Sequence, residues 1–153
     1  MSAIINGDIT KVIKSGYILH QVNCMSAMGA GVALALMKKW PQVRSEYIQF
    51  SKQAAKPKDL LGQIEYVQVE NNLTVINSFT QLGYGNARLS GVSDTNEELL
   101  IRNIRNAAKK AASENTTVAV PYLVGCGLAG GNWQNVYNGI KDLDNLIIVK
   151  YGA

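Results

Sequence analysis

Apolar positions along the chain recur first with a period of two and then with a period near 3.6, in the alternating order of strands and helices in an α/β domain. Residues 3–6 are short and β-like, and 17–23 (YILHQVN) read as a buried strand. Residues 31–40 (GVALALMKKW) form a mostly apolar helix that stops at Pro41. Proline suits a first helical turn, where its missing N–H goes unused, so a second helix is expected over 41–52. Lys56-Pro57-Lys58 is a loop, and 64–70 and 73–79 flank Asn71-Asn72 as a hairpin with a two-residue turn.

A polar stretch, 81–93, precedes the strongest helical pattern, 94–113. There Leu100, Ile104, Ala107, Ala108 and Ala111 share one face, while Arg102, Arg105, Asn106, Lys109 and Lys110 turn away. Asp94 with Glu97 three residues later has the form of a capping box. Residues 117–121 read as a short buried strand and 125–131 as a glycine-rich loop. Next come a helix over 132–142, with Trp133, Val136, Tyr137 and Ile140 on one side, and a closing strand over 146–151. No repeat, low-complexity tract or linker interrupts this order, so 1–153 is expected to be a single domain.

Composition narrows the class. The chain has 153 residues, 47% of them hydrophobic, which suits one globular core and excludes a disordered chain. No apolar run approaches the ~20 residues of a membrane helix, and MSAIINGDIT lacks a basic-then-apolar leader. The expectation is a cytoplasmic, monomeric protein without a membrane partner. Cys24 and Cys126 belong to no C-x-x-C pair, which points to free thiols. One histidine and no cysteine cluster exclude a zinc site, and neither metal nor cofactor is expected. The net charge of +4 is spread over helices and a loop without interleaved aromatics. That pattern reads as solvated helix faces, with a mild pull on a polyanionic small ligand as the alternative, and no specific nucleic acid is expected.

Two segments repeat one plan of strand, glycine-rich loop and helix. Met28-Gly29-Ala30-Gly31 leads into the first helix, and Gly125-Cys126-Gly127-Leu128-Ala129-Gly130-Gly131 leads into the last. Such loops present backbone N–H groups near a positive helix end and let a phosphate approach closely. Two of them in one small domain suit a diphosphate gripped from both sides. The second also satisfies G-x-G-x-x-G, but only one strand follows it, ending in Val149-Lys150-Tyr151, which disfavours a Rossmann dehydrogenase. No G-x-x-x-x-G-K-[ST] motif is present.

These residues resemble the macrodomain family. Asn6-Gly7-Asp8-Ile9-Thr10 looks like its opening. His20 to Cys24 and Met28 to Ala33 look like the branch containing ADP-ribose 1″-phosphate phosphatases and terminal ADP-ribose–protein glycohydrolases. Gly125 to Trp133, Asn77 to Gln81 and Tyr84-Gly85 fit the same branch. The resemblance implies a three-layer α/β/α fold around a central mixed sheet. It implies that Asp8 accepts a hydrogen bond from the adenine amine and that Ile9 lines the same pocket. Gly29, Ala30, Gly31 and Val32 would form the first phosphate loop, and Gly125, Cys126, Gly127, Leu128, Ala129 and Gly130 the second. Asn23 would sit near the distal ribose, and Tyr151 would stack on adenine.

On catalysis the sequence departs from the family. The glycohydrolase lysine and aspartate align with Ser78 and Ala129, so that chemistry lacks its parts. The phosphatase-like G-G-D-W reads Gly130-Gly131-Asn132-Trp133 here, and an asparagine can hydrogen-bond but not transfer a proton as aspartate does. Asn132 also sits where a helix begins and suits an N-cap. His20 is the remaining proton carrier near neutrality. The leading expectation is a phosphoric monoester hydrolase removing the terminal phosphate of ADP-ribose 1″-phosphate through His20 and Asn132. A non-catalytic ADP-ribose binder and a reader of ADP-ribosylated targets stand beside it.

Overall fold

A computed structural model describes residues 1–28, 31–83, 94–127 and 129–152. Six strands form one sheet: β1 (Ala3–Asn6), β2 (Gly16–Asn23), β3 (Ile64–Glu70), β4 (Leu73–Gln81), β5 (Val118–Pro121) and β6 (Leu146–Lys150). Their order is β1-β6-β5-β2-β4-β3, and every pairing is parallel except β3 with β4. The helices are α1 (Ile9–Val12), α2 (Gly31–Lys39), α3 (Gln42–Ser51), α4 (Glu97–Ser113) and α5 (Trp133–Ile140), with a 3-10 turn at Pro57–Leu60 where the sequence suggested only a loop.

β2 is buried along its length except at Gln21, because helices cover both sheet faces. Ile18 and Val22 join Leu36, Val43 and Tyr47 on the α2–α3 side. Tyr17 and Leu19 join Leu100, Ile104, Val136 and Ile140 on the α4–α5 side. The architecture is the expected three layers around a mixed sheet.

The start of α4 differs from the sequence reading. Asn96, not Asp94, is its N-cap, with Oδ1 accepting the Leu99 N–H at 3.0 Å. Asp94 and Thr95 remain extended because Thr95 bridges Gln81 and the Asp94 N–H donates to Ala129 O at 2.9 Å. Tertiary pairing therefore overrides the local capping signal. Asn96→Ala should lower the unfolding free energy by about 1 kcal/mol in urea titrations, and Asp94→Ala should lower it less. Equal losses would return the cap to Asp94.

Topology places the functional end. β2 and β5 are adjacent and parallel, yet α2 follows β2 onto one face while α5 follows β5 onto the other. Connections leaving neighbouring strands in opposite directions open a crevice at the strand carboxyl ends. Both glycine-rich segments begin at that crevice.

Candidate functional site

A cleft of about 380 Å³ opens beside this crevice. Gly7, Asp8 and Ile9 supply one side from the β1–α1 junction. Gly31, Val32 and Ala35 of α2 supply another, and Pro121, Tyr122, Val149 and Tyr151 complete the wall from the ends of β5 and β6. The lining is mostly apolar, with one carboxylate.

That carboxylate belongs to Asp8, the N-cap of α1. Its Oδ1 accepts from Thr10 N at 2.9 Å and from Thr10 Oγ at 2.7 Å. The Thr10 hydroxyl bond, aided by the Thr10 backbone and by Lys11 and Lys39, holds the carboxyl below its usual range. Asp8 is thus an ionised, fixed acceptor at neutral pH. Its second oxygen accepts from none of the described residues.

The second glycine loop is tied down beside it. Gly125 O accepts from Thr95 Oγ at 2.6 Å and from Gly131 N at 2.9 Å. Gln21 Nε2 donates to Thr95 Oγ at 2.9 Å, and Gln21 Oε1 accepts from Thr80 Oγ at 2.9 Å. Gly125 has a φ of +72°, and a Cβ there would lie 2.8 Å from Leu100 and 3.1 Å from Gln21, so glycine is a packing requirement. At Gly127 a Cβ would meet nothing within 4 Å and φ lies outside the left-handed region. Among the described residues nothing requires glycine there.

No family model matches the sequence, and a search of curated proteins finds no relative. Solved structures do match over the whole chain. A protein of unknown function from Bacteroides thetaiotaomicron is 30% identical, with a TM-score of 0.82, over 99% of this chain and 98% of that one. A macrodomain protein from Streptomyces coelicolor is 26% identical, with a TM-score of 0.76, over 100% and 99%. This chain has the macrodomain fold. Thermosipho africanus DarTG, solved in complex with ADP-ribose, shares the fold at 17% identity and a TM-score of 0.64, over 90% of this chain and 38% of that one.

Within this fold, Asp8, Ile9, Gly31, Val32 and Tyr151 line the cleft. Tyr151 lies just past β6 and is 81% exposed, which leaves its ring free for a ligand. Gly29, Ala30 and Leu128, along with Tyr84 and Gly85, fall outside the described residues. Gly125, Cys126, Gly127, Ala129 and Gly130 form the neighbouring loop without lining this cleft. Cys126 is half-buried, its thiol pushed up to about 11 by burial and by the charge of Glu97.

The two residues expected to be catalytic, His20 and Asn132, both lie off this cleft. His20 is 2% exposed on the α2–α3 side of β2, with Nε2 2.6 Å from Asn77 Oδ1 and Nδ1 buried without a partner among the described residues. It does not line the cleft. Asn132 is the N-cap of α5, with Oδ1 accepting Asn135 N at 3.2 Å, and it too lies off the cleft. Asn23 is buried and shapes the turn before the first loop. Its Oδ1 accepts from Met25 N, Ala27 N and Tyr47 OH, and its Nδ2 donates to Ala27 O. Ser78, aligned with the glycohydrolase lysine, is wholly buried and accepts from Asn103 Nδ2 at 3.1 Å.

Sequence reasoning missed Tyr122. Its ring packs edge-on against Trp133 at 5.2 Å, and Lys150 Nζ sits 4.9 Å from its centre. An aromatic directly after a strand-ending proline, beside a glycine loop, was the available signal.

Proposed function

We propose that this chain binds ADP-ribose or a close derivative, with the adenosine in the Asp8 cleft and the diphosphate between the two glycine segments. The observation that carries this reading is Asp8. It is a fixed, ionised acceptor with one oxygen turned to no described residue, at the mouth of an otherwise apolar, aromatic-walled cleft. A flat heteroaromatic ring with an exocyclic amine suits that combination. The crevice between β2 and β5, with its backbone-rich loops, suits the adjoining anion. The ADP-ribose complex of Thermosipho africanus DarTG, on the same fold, supports the assignment.

Binding without turnover is favoured over the phosphatase expected from sequence. Phosphate monoester hydrolysis by His20 and Asn132 needs a side chain that moves a proton beside the ligand. His20 is sealed in the core and Asn132 is occupied as a helix cap.

Calorimetry with ADP-ribose should give a dissociation constant in the micromolar range. Phosphate release from ADP-ribose 1″-phosphate in the same preparation should stay at the blank. Asp8→Asn, which removes the charge from one charge-assisted hydrogen bond, should weaken ADP-ribose by about tenfold. Absence of binding at millimolar ADP-ribose would sink the reading. Multiple-turnover phosphate release would restore the hydrolase.

A further inference from the structure

We propose that Glu97 is a positioning residue for the second glycine loop: from the first turn of α4 its carboxylate clamps the start of α5 and so fixes the loop amides toward the ligand's diphosphate. The proposal rests on the binding reading above and adds a residue that contacts no ligand.

Glu97 Oε2 accepts the backbone N–H of Asn132 at 2.6 Å, and Oε1 accepts from Asn135 Nδ2 at 3.2 Å. Asn132 is both the end of the glycine loop and the N-cap of α5, so one carboxylate holds the joint between loop and helix. Bonds from an ionised acceptor to N–H donors are the stronger, shorter class of hydrogen bond. The carboxylate also occupies the positive end of α5, where negative charge is favoured.

Glu97 is the last of a contiguous run that fastens the loop along its length. The Asp94 N–H donates to Ala129 O at 2.9 Å, and Thr95 Oγ donates to Gly125 O at 2.6 Å. Asn96 caps α4 itself, so the run leads directly into that helix. Beginning, middle and end of the second loop are therefore referenced to one short run, Asp94 to Glu97, that leads into α4. The charge of Glu97 is felt inside the loop, where it helps raise the Cys126 thiol. A loop that must aim its N–H groups at a bound anion gains affinity from being held in that geometry beforehand.

A helix cap with no bearing on the ligand would have the same hydrogen bonds, so the test separates the diphosphate from the nucleoside. ADP-ribose and adenosine are titrated into wild type, Glu97→Ala and Glu97→Gln by calorimetry and NMR, with thermal melts confirming that each is folded. Glu97→Ala should weaken ADP-ribose by about tenfold and leave adenosine within about twofold. Glu97→Gln keeps an acceptor for the Asn132 N–H, and should recover ADP-ribose affinity to within about threefold of wild type. Should Glu97→Ala fail to fold, Asn135→Ala removes only the Oε1 partner, and should weaken ADP-ribose by roughly twofold to threefold with adenosine unchanged.

Equal loss of both ligands, or no loss of either, would overturn the positioning role while leaving the binding reading in place. Tighter ADP-ribose binding by Glu97→Gln than by wild type would also overturn it, by showing the carboxylate to be a competing anion. A wild type that binds adenosine and ADP-ribose equally would instead remove the diphosphate cradle, and this proposal with it.

Discussion

Replacing Gly127 with alanine should leave stability unchanged and remove most of the affinity for ADP-ribose. A Cβ at this position meets no atom of the described residues within 4 Å and faces no left-handed backbone penalty. The melting temperature should therefore stay within about 2 °C of wild type, as for a neutral surface change. A methyl placed where a phosphate approaches the loop backbone should cost roughly tenfold to a hundredfold in affinity, the scale of a packing clash. Gly125→Ala is the contrast. Its Cβ would press on Leu100 and Gln21 at a φ of +72°, so stability and affinity should fall together. Thermal melts and calorimetry on both variants check this. Undiminished ADP-ribose binding by Gly127→Ala would remove this loop from the ligand site.

Acid should destabilise the protein through His20 well above the ordinary carboxylate range. Burial pushes the imidazole down to about 4, only partly countered by the Asn77 bond. Asn77 Nδ2 donates to Glu65 Oε1 at 3.1 Å, which turns Asn77 Oδ1 toward His20 and places the imidazole proton on Nε2. Protonation would then put a second N–H, on Nδ1, where none of the described residues supplies an acceptor. In the unfolded chain the ring takes its proton near 6.5, so between 6.5 and 4 the unfolded state binds more protons than the folded one. The resulting stability is full above 6.5 and is lost as pH falls toward 4, by on the order of 3 kcal/mol.

Glu65, whose carboxyl burial pushes up, gains stability on protonation and works in the opposite direction. The wild-type slope is therefore compared with that of His20→Gln. Urea unfolding at pH 7.5 and 4.5 should show a much smaller pH loss in the variant. As His20 is the one histidine in the sequence, its NMR titration is unambiguous. A midpoint near 6.5 would place the ring in water and return it to the list of proton carriers.

Much of the fold was legible because local patterns carry it. The apolar face of α4, from Leu100 to Ala111, is buried as its spacing requires, and the doubly buried β2 reads as a continuous apolar run. The hairpin turn at Asn71-Asn72 separates β3 from β4 as expected. The ends were less secure. α2 stops at Lys39, α5 covers only Trp133–Ile140, and β4 runs on to Gln81 because its last residues still pair with β2.

The site divided along the same line. Asp8, Ile9, Gly31, Val32 and Tyr151, named through the resemblance to macrodomains, line the cleft. Which of two faces receives a side chain in a strand buried on both was settled only in three dimensions, and it put His20 in the core, off the cleft. Asn23 and Asn132 were visible as polar residues at turns, but whether their amides met a ligand or the chain's own backbone depended on how those turns closed. Tyr122 entered the cleft, and Glu97 reached Asn132, through the packing of elements far apart along the chain. Periodicity, capping and glycine spacing are properties of neighbouring residues and survive in one dimension. Partnership between distant side chains exists only after the sheet order has brought β5, β6 and α4 together, and tertiary structure alone decided it.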